Sequence, residues 1–297
     1  MNTKLMCRMV LCLLFLTADV QAQKTLRMKF VQGATSTISL VNKTTVDTEF
    51  GENKNKTNLT MAMDLYQTVK EVKPDGSAVV LQVLSRIKME STGGFVGATV
   101  KFDSQDPQEE DEANTLSKIL QPLIGAEFEV TYSNRGIVLD VEPPADLVKT
   151  LTADSTTVFQ QMFSKDSFKT MLSQSSVVLP EKPVSEGTKW ESKFSSSTQT
   201  GGAAVTVSYV YGGTVQVAGK ELEQLNVTMV VKLLESKLPD SPRLNIKKQS
   251  SSGIMYFDNQ AGVMSHSAIK QLMQIEGQIG AMSLLQQTMT DVTTTIK

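Results

Sequence analysis

The stretch Leu59-Thr60-Met61-Ala62-Met63-Asp64-Leu65-Tyr66 places Leu59, Met61, Met63 and Leu65 at every second position. Successive side chains of a β-strand point to opposite faces, so this period of two predicts a strand with one face on a core and the other in water. The pattern extends in both directions. Leu26, Met28 and Phe30 alternate with Thr25, Arg27 and Lys29, and Val79, Leu81, Val83, Ile87 and Met89 read as one face opposite Gln82, Arg86 and Lys88. Further on come Val205, Val207, Tyr209 and Tyr211, then Leu225, Val227, Met229, Val231 and Leu233 against Asn226, Thr228 and Lys232. One-sided alternation of this kind belongs to antiparallel sheets.

The breaks between the runs agree. Pro74-Asp75-Gly76, Asn134-Arg135-Gly136 and Asp258 to Gly262 separate alternating segments, and Gly, Asn and Asp supply the backbone angles that tight connections need. Helical spacing appears in the middle of the chain. Leu116, Ile119, Leu120, Leu123 and Ile124 follow the i, i+3, i+4, i+7 rhythm, with Asp111 and Glu112 placed for the N-terminus and Pro122 to kink or end the helix. A second helical zone starts at Pro144, runs through Leu147, Val148 and Leu151, and continues through Val158, Phe159, Met162, Phe163, Phe168, Met171 and Leu172. Strands on both sides of a helical centre predict an α+β fold: a large curved antiparallel sheet, half-barrel-like, with helices from about 111 to 173 packed on one face.

Composition narrows the chemistry. The 297 residues include 1 His, 2 Cys and 1 Trp, with a formal net charge of −2, so no broad electrostatic grip on nucleic acid is expected. Residues 1–22 form a unit of their own. Lys4 and Arg8 precede the apolar run Met9 to Leu16, and Val20 and Ala22 stand at the −3 and −1 positions before Gln23. That is the pattern of a secretory signal peptide, too short to remain as a membrane anchor. Its removal takes Cys7 and Cys12 with it and leaves a chain without thiols, expected to be periplasmic or extracellular and not membrane-spanning. Residues 23–297 are expected to form one domain. The stretch Tyr132 to Val138 is similar to Phe257 to Met264, which suggests two related halves, 23–142 and 180–297, joined by the helical segment 143–179.

A signal peptide, a large antiparallel sheet and a central helical segment together resemble the layout of LolA-like and LppX-like lipoprotein carriers. That resemblance implies a sheet curved around an apolar cavity for acyl chains. The Gly187-to-Trp190 stretch, the Gly219-Lys220 turn and the Tyr256-Phe257-Asp258-to-Gly262 hairpin also resemble secreted bacterial proteins known only as domains of unknown function, a likeness that implies no activity.

Each candidate site has a plainer explanation beside it. His266 lies between Ser265 and Ser267 with no nucleophile elbow such as Gly-x-Ser-x-Gly in the chain, which argues against a Ser/His/Asp hydrolase. A hydrolase built on two carboxylates is left as the one enzymatic alternative. The acidic run Asp103, Asp106, Glu109, Glu110, Asp111 and Glu112 could offer oxygen ligands to calcium, but its spacing is not that of an EF-hand and a solvated loop explains it. Met61, Met63, Met229, Met255, Met264, Met273 and Met282 sit at strand spacing among Leu and Val, which suits a core or an adaptable cavity better than a metal. No catalytic residue, metal ligand or cofactor is therefore expected. The function expected is a non-enzymatic binder of a lipid, acylated molecule or other apolar ligand between sheet and helices. Met162, Phe163, Phe168, Met171, Trp190 and Phe194 are its candidate lining. The alternative is a structural or interaction protein of the cell envelope with a fully packed core and a protein partner.

Overall fold

Twelve strands form one antiparallel sheet in the computed structural model, which describes residues 23–93, 99–106, 120–145, 147, 165–198, 201–235 and 243–297. The strands are β1 (Thr35–Phe50), β2 (Asn53–Val72), β3 (Ala78–Gly93), β4 (Val100–Asp103), β5 (Glu127–Tyr132), β6 (Val138–Glu142), β7 (Lys189–Thr198), β8 (Gly201–Val217), β9 (Lys220–Leu234), β10 (Arg243–Asp258), β11 (Val263–Ile279) and β12 (Met282–Ile296). Their order across the sheet is β6-β5-β3-β2-β1-β12-β11-β10-β9-β8-β7, with β4 alongside β3. Pairing of β1 with β12 makes the sheet continuous from the first part of the chain to the last. At 20 residues, β2 runs for roughly 65 Å at about 3.3 Å per residue.

The α+β expectation is overturned. Among the described residues of the 111–173 stretch, α1 (Lys165–Ser175) and a short 3₁₀ turn at Gln121–Leu123 are delimited, and Leu120, Ala145 and Leu147 are also helical. Pro122 stands at the start of that turn, and the chain leaves it directly into β5. Residues 107–119 and 148–164, where most of the expected helices fall, lie outside the described residues. Among the described residues the protein is a long-stranded antiparallel sheet with one assigned helix, α1, and the sheet rolls so that its two edges approach each other. That rolling is visible in α1, which packs against both edge strands, β6 and β7.

Residues paired across the ladders share a face, and the registers define a single apolar face. Leu40 of β1 lies opposite Met63 of β2, Met61 opposite Met89 of β3, and Met89 opposite Phe102 of β4. On the other side Val227 of β9 lies opposite Tyr209 of β8, which lies opposite Trp190 of β7. One expected face is corrected by a β-bulge. The β2–β3 register slips between Asp64/Arg86 and Leu65/Leu84, so Ile87 and Met89 share a face with Gln82 and Val80 instead of with Val79, Leu81 and Val83. A single extra residue reverses every side chain beyond it. Burial agrees, since Val80, Gln82 and Ile87 are all buried.

The core sits at one end of the strands, called the base here, where the turns 73–77, 133–137, 218–219 and 259–262 gather. One cluster holds Leu26, Leu179, Val184, Tyr209, Leu225 and Phe257; a second holds Val130, Val138, Val141 and Phe168. The N-terminal segment straps this end. Lys24 pairs with Val184 through both backbone groups at 2.8 Å, the Met28 N–H donates to Asn134 O at 2.7 Å, and the Lys29 N–H donates to Gly262 O at 3.1 Å. Two consecutive residues thus tie the β5–β6 turn to the β10–β11 turn. Both turns need glycine. A Cβ on Gly262 (φ +72) would lie 2.4 Å from the Lys29 backbone nitrogen, and one on Gly136 (φ +80) would lie 2.3 Å from Val177 O.

Candidate functional site

Beyond the base the same apolar face continues, but nothing described fills it to the density of a core. Leu40, Val46 and Phe50 on β1, and Leu59, Met61 and Met63 on β2, are half-buried, as are Met229 and Val231 on β9, Met273 and Ile275 on β11 and Val292 on β12. The lining is aliphatic and rich in methionine, whose flexible thioether adapts to irregular apolar shapes. Towards β1 and β12 the surface is less apolar. Thr44 donates to Asn42 Oδ1 at 2.9 Å and lies 3.3 Å from the Thr290 hydroxyl. The opposite face is charged, with Lys54–Glu49 at 2.7 Å, Lys247–Glu276 at 3.0 Å and Arg86–Asp103 at 2.7 Å. The hydrogen bond from the Arg86 guanidinium holds the Asp103 carboxyl down to about 2. A depression of about 220 Å³ lies among Lys43, Lys270, Asp291 and their neighbours at β1, β12 and β11.

Within the apolar face the base carries a buried polar knot, in phase with Leu225 and Val227 on β9. Glu223 is 4% exposed and accepts from Lys24 Nζ at 2.8 Å, Tyr211 Oη at 2.5 Å and Thr214 Oγ1 at 2.9 Å. Burial by itself would push the Glu223 carboxyl up, but those three donors outweigh it and hold it below the usual carboxylate range. Burial also pushes the Tyr211 phenol up, reinforced by the adjacent carboxylate. A satisfied knot of this kind fixes the N-terminal strap on the sheet. On the other side of the base, Gln82 donates to Tyr132 Oη at 3.0 Å, and burial drives that phenol to about 12.

The expected lining residues fall into separate groups. Trp190 stacks on Tyr209 with centroids 5.3 Å apart and planes 8° apart, and its indole N–H donates to Val178 O at 2.7 Å. Phe194 lies on the same face, half-buried beside Val205. Phe168 packs against Phe128 of β5 at 5.1 Å, in the second cluster. Met171 lies on α1, and Met162 and Phe163 lie outside the described residues. Trp190 and Phe168 thus sit in different clusters of the base, while the broad half-buried surface is supplied by strands whose methionines the sequence reading weighed only as core or cavity lining. The Lys24–Glu223 knot was not foreseen; an acid inside an alternating apolar run was its only trace.

His266 lies on the charged face, stacked on Tyr256 at 6.5 Å with Nδ1 3.3 Å from Thr295 Oγ1. Asp103 is engaged by Arg86 and Lys88, and residues 107–112 of the acidic run lie outside the described residues. Among the described residues no group of three or more His, Cys, Asp or Glu side chains is placed to hold a metal ion, and no helix is long and apolar enough to cross a membrane.

Fold and site together define a protein whose described residues form a large antiparallel sheet with one extended apolar face, packed at its base and not filled beyond it by any described side chain. Residues 75–220, from the turn before β3 to the start of β9, match the model of a family of unknown function, DUF6263, in keeping with the resemblance to uncharacterised β-rich proteins. None of the curated proteins matches the sequence. Among solved structures the chain is similar to lipovitellin, from a structure of its lipid–protein interactions, with a TM-score of 0.50 and 10% identity over 91% of this chain. It spans 26% of the lipovitellin chain, and at that identity the likeness is one of fold. Fainter matches are an outer membrane channel of Pseudomonas putida F1 (TM-score 0.27, 8% identity, 91% of this chain and 97% of the channel) and a DUF1329 family protein of Desulfovibrio piger (TM-score 0.21, 11% identity, 86% and 83%).

Proposed function

We propose that the protein is an exported, non-enzymatic binder of an apolar ligand, a lipid or an acylated molecule, held against the open half of the apolar sheet face. One observation carries the reading. Met61, Met63, Met229 and Met273 continue the face of a well-packed core, yet remain half-buried. An acyl chain laid on that surface would gain about 0.8 kcal/mol for each CH₂ it removes from water. The fold shared with lipovitellin supports the reading, since that protein's structure is one of lipid–protein interactions. The alternative, an envelope interaction protein with a filled core, is less well supported because the described side chains leave this half open. Export rests on the signal-peptide pattern of residues 1–22, which lie outside the described residues.

Solvent extraction and mass spectrometry of the protein purified from its own envelope, beside a mock purification, test the proposal. An acyl species recovered at about one per protein is the expected result. A protein that carries none, and that takes up none from vesicles, overturns it.

A further inference from the structure

The β9–β10 seam differs from its neighbours. Strands β9 and β10 are 15 and 16 residues long, yet their ladder covers only the five pairs from Glu223↔Phe257 to Val227↔Gly253. On either side the ladders run nearly the full strand: β8 pairs β9 from Gly202↔Leu234 to Val217↔Lys220, and β10 pairs β11 from Arg243↔Gln278 to Asp258↔Val263. Past Val227 the register would put Met229 opposite Ser251 and Val231 opposite Gln249. There, side chains take the place of main-chain rungs. The Met229 N–H donates to Ser251 Oγ, whose hydroxyl donates back to Met229 O at 3.0 Å. The Val231 N–H donates to Gln249 Oε1 at 2.8 Å, and Gln249 Nε2 donates to Val231 O at 2.9 Å.

The lengths of these rungs describe a wedge. Direct ladder bonds hold strands about 4.8 Å apart. A serine hydroxyl adds a short spacer and a glutamine amide a longer one, so the strands part progressively away from the base. Gly253, at the vertex, has no room for a side chain: a Cβ there would lie 2.7 Å from Ile269 Cγ1. The split therefore begins at a tightly packed point and opens along the half of the sheet where no described side chain fills the apolar face. Side-chain rungs can also let go by a change of rotamer without moving backbone, which a direct ladder cannot do.

From this geometry we infer that the β9–β10 seam is a lateral entrance, through which a single linear apolar chain reaches the open half of the sheet face. The panel β7–β9 moves away from β10 as the Ser251 and Gln249 rungs release, and these two residues position the entrance without forming the apolar surface. The inference rests on the proposed apolar-ligand reading and adds the route to it.

The test bridges the seam from its charged side. Val230, 54% exposed, and Ser250, also exposed, lie across from one another in the continued register, off the rungs and off the apolar face. Val230→Cys with Ser250→Cys, in a background with Cys7 and Cys12 replaced by serine, is joined with a short thiol-to-thiol crosslinker. Uptake and release of pyrene-labelled palmitate are then followed by stopped flow, with and without the bridge. The bridge is expected to slow both rates by roughly tenfold or more while leaving the equilibrium affinity near that of the unbridged protein. Conversely, Gln249→Leu with Ser251→Ala should speed release severalfold and remove hydrogen-exchange protection at the Met229 and Val231 amides. Saturable binding with rates indifferent to both changes overturns the entrance and leaves the apolar-ligand reading standing. Absence of saturable binding in bridged and unbridged protein alike overturns both.

Discussion

Strand β9 passes through two environments on one face. Leu225 and Val227 are 0% and 2% exposed at the base, while Met229, Val231 and Leu233, further along the same alternation, are half-buried. The residue types scarcely differ. What differs is the cover: the base has the N-terminal strap, the segment leading to β7 and α1 folded over it, and no described segment lies over the far half in the same way. Burying a side chain such as Leu or Val fully contributes about 1.5–3 kcal/mol, so the base should hold most of the stability and the far half should be free to serve another purpose.

The largest effect expected from breaking this contrast comes from Phe257→Ala. Phe257 is fully buried beneath the strap, and its loss should cost about 3–5 kcal/mol, read as a drop in the denaturant midpoint. A cost under 1 kcal/mol would mean that the base is not the packed element.

Gly262→Ala comes next. It forces a side chain into a left-handed backbone position and against the Lys29 backbone nitrogen, at about 2–3 kcal/mol. Limited proteolysis should then release the N-terminal segment before the sheet is cut; simultaneous loss of both would detach the strap from the contrast.

Glu223→Gln is a smaller perturbation, about 2 kcal/mol, below the usual cost of breaking a buried pair because Lys24 is about a third exposed. It also carries a sign in pH. The folded-state carboxyl titrates below its ordinary value near 4.5, so the unfolded chain binds protons more readily. Stability from this group is present above that value and is lost as pH falls through the lower folded-state value. A melting series at descending pH should show a shallower decline for Glu223→Gln than for the parent; identical slopes would remove the knot from the account.

The smallest stability effect is expected in the far half. Met61→Ser with Met273→Ser should cost little beyond about 1 kcal/mol, since the side chains are only half-buried, while lowering the ligand recovered by extraction. Large destabilisation with unchanged recovery would erase the distinction between the two regions.

Much of the strand content was legible. The alternating runs at 59–65, 205–211 and 225–233 lie within β2, β8 and β9, and the turns at Gly76, Gly136 and Gly262 join antiparallel strands. Periodicity does not register a bulge, which is why the face assigned to Val79, Leu81 and Val83 was inverted by one unpaired residue near Ser85. Helical spacing between 111 and 173 was read as a helical layer on the sheet, and the fold class drawn from it is overturned because strands dominate the described chain; most of that stretch lies outside the described residues. Of the expected lining, Trp190 and Phe194 do share the apolar face, but Trp190 is engaged by Tyr209 and Val178 in the base. The rungs at Ser251 and Gln249 had no signal at all in sequence, where they read as ordinary polar strand residues.

The sequence by itself determined the local alternatives: strand or turn, apolar or polar position, few groups suited to catalysis, and a leader-like first segment. Those are properties of neighbouring residues and their period. Only the tertiary structure decided that β1 meets β12, that Met28 and Lys29 tie two distant turns, that one half of a face is packed and the other is left half-buried by the described residues, and that the β9–β10 ladder stops short. Each depends on which segments lie across from one another in space, and residues as far apart as Lys24 and Glu223 are brought together by the packing of the whole sheet.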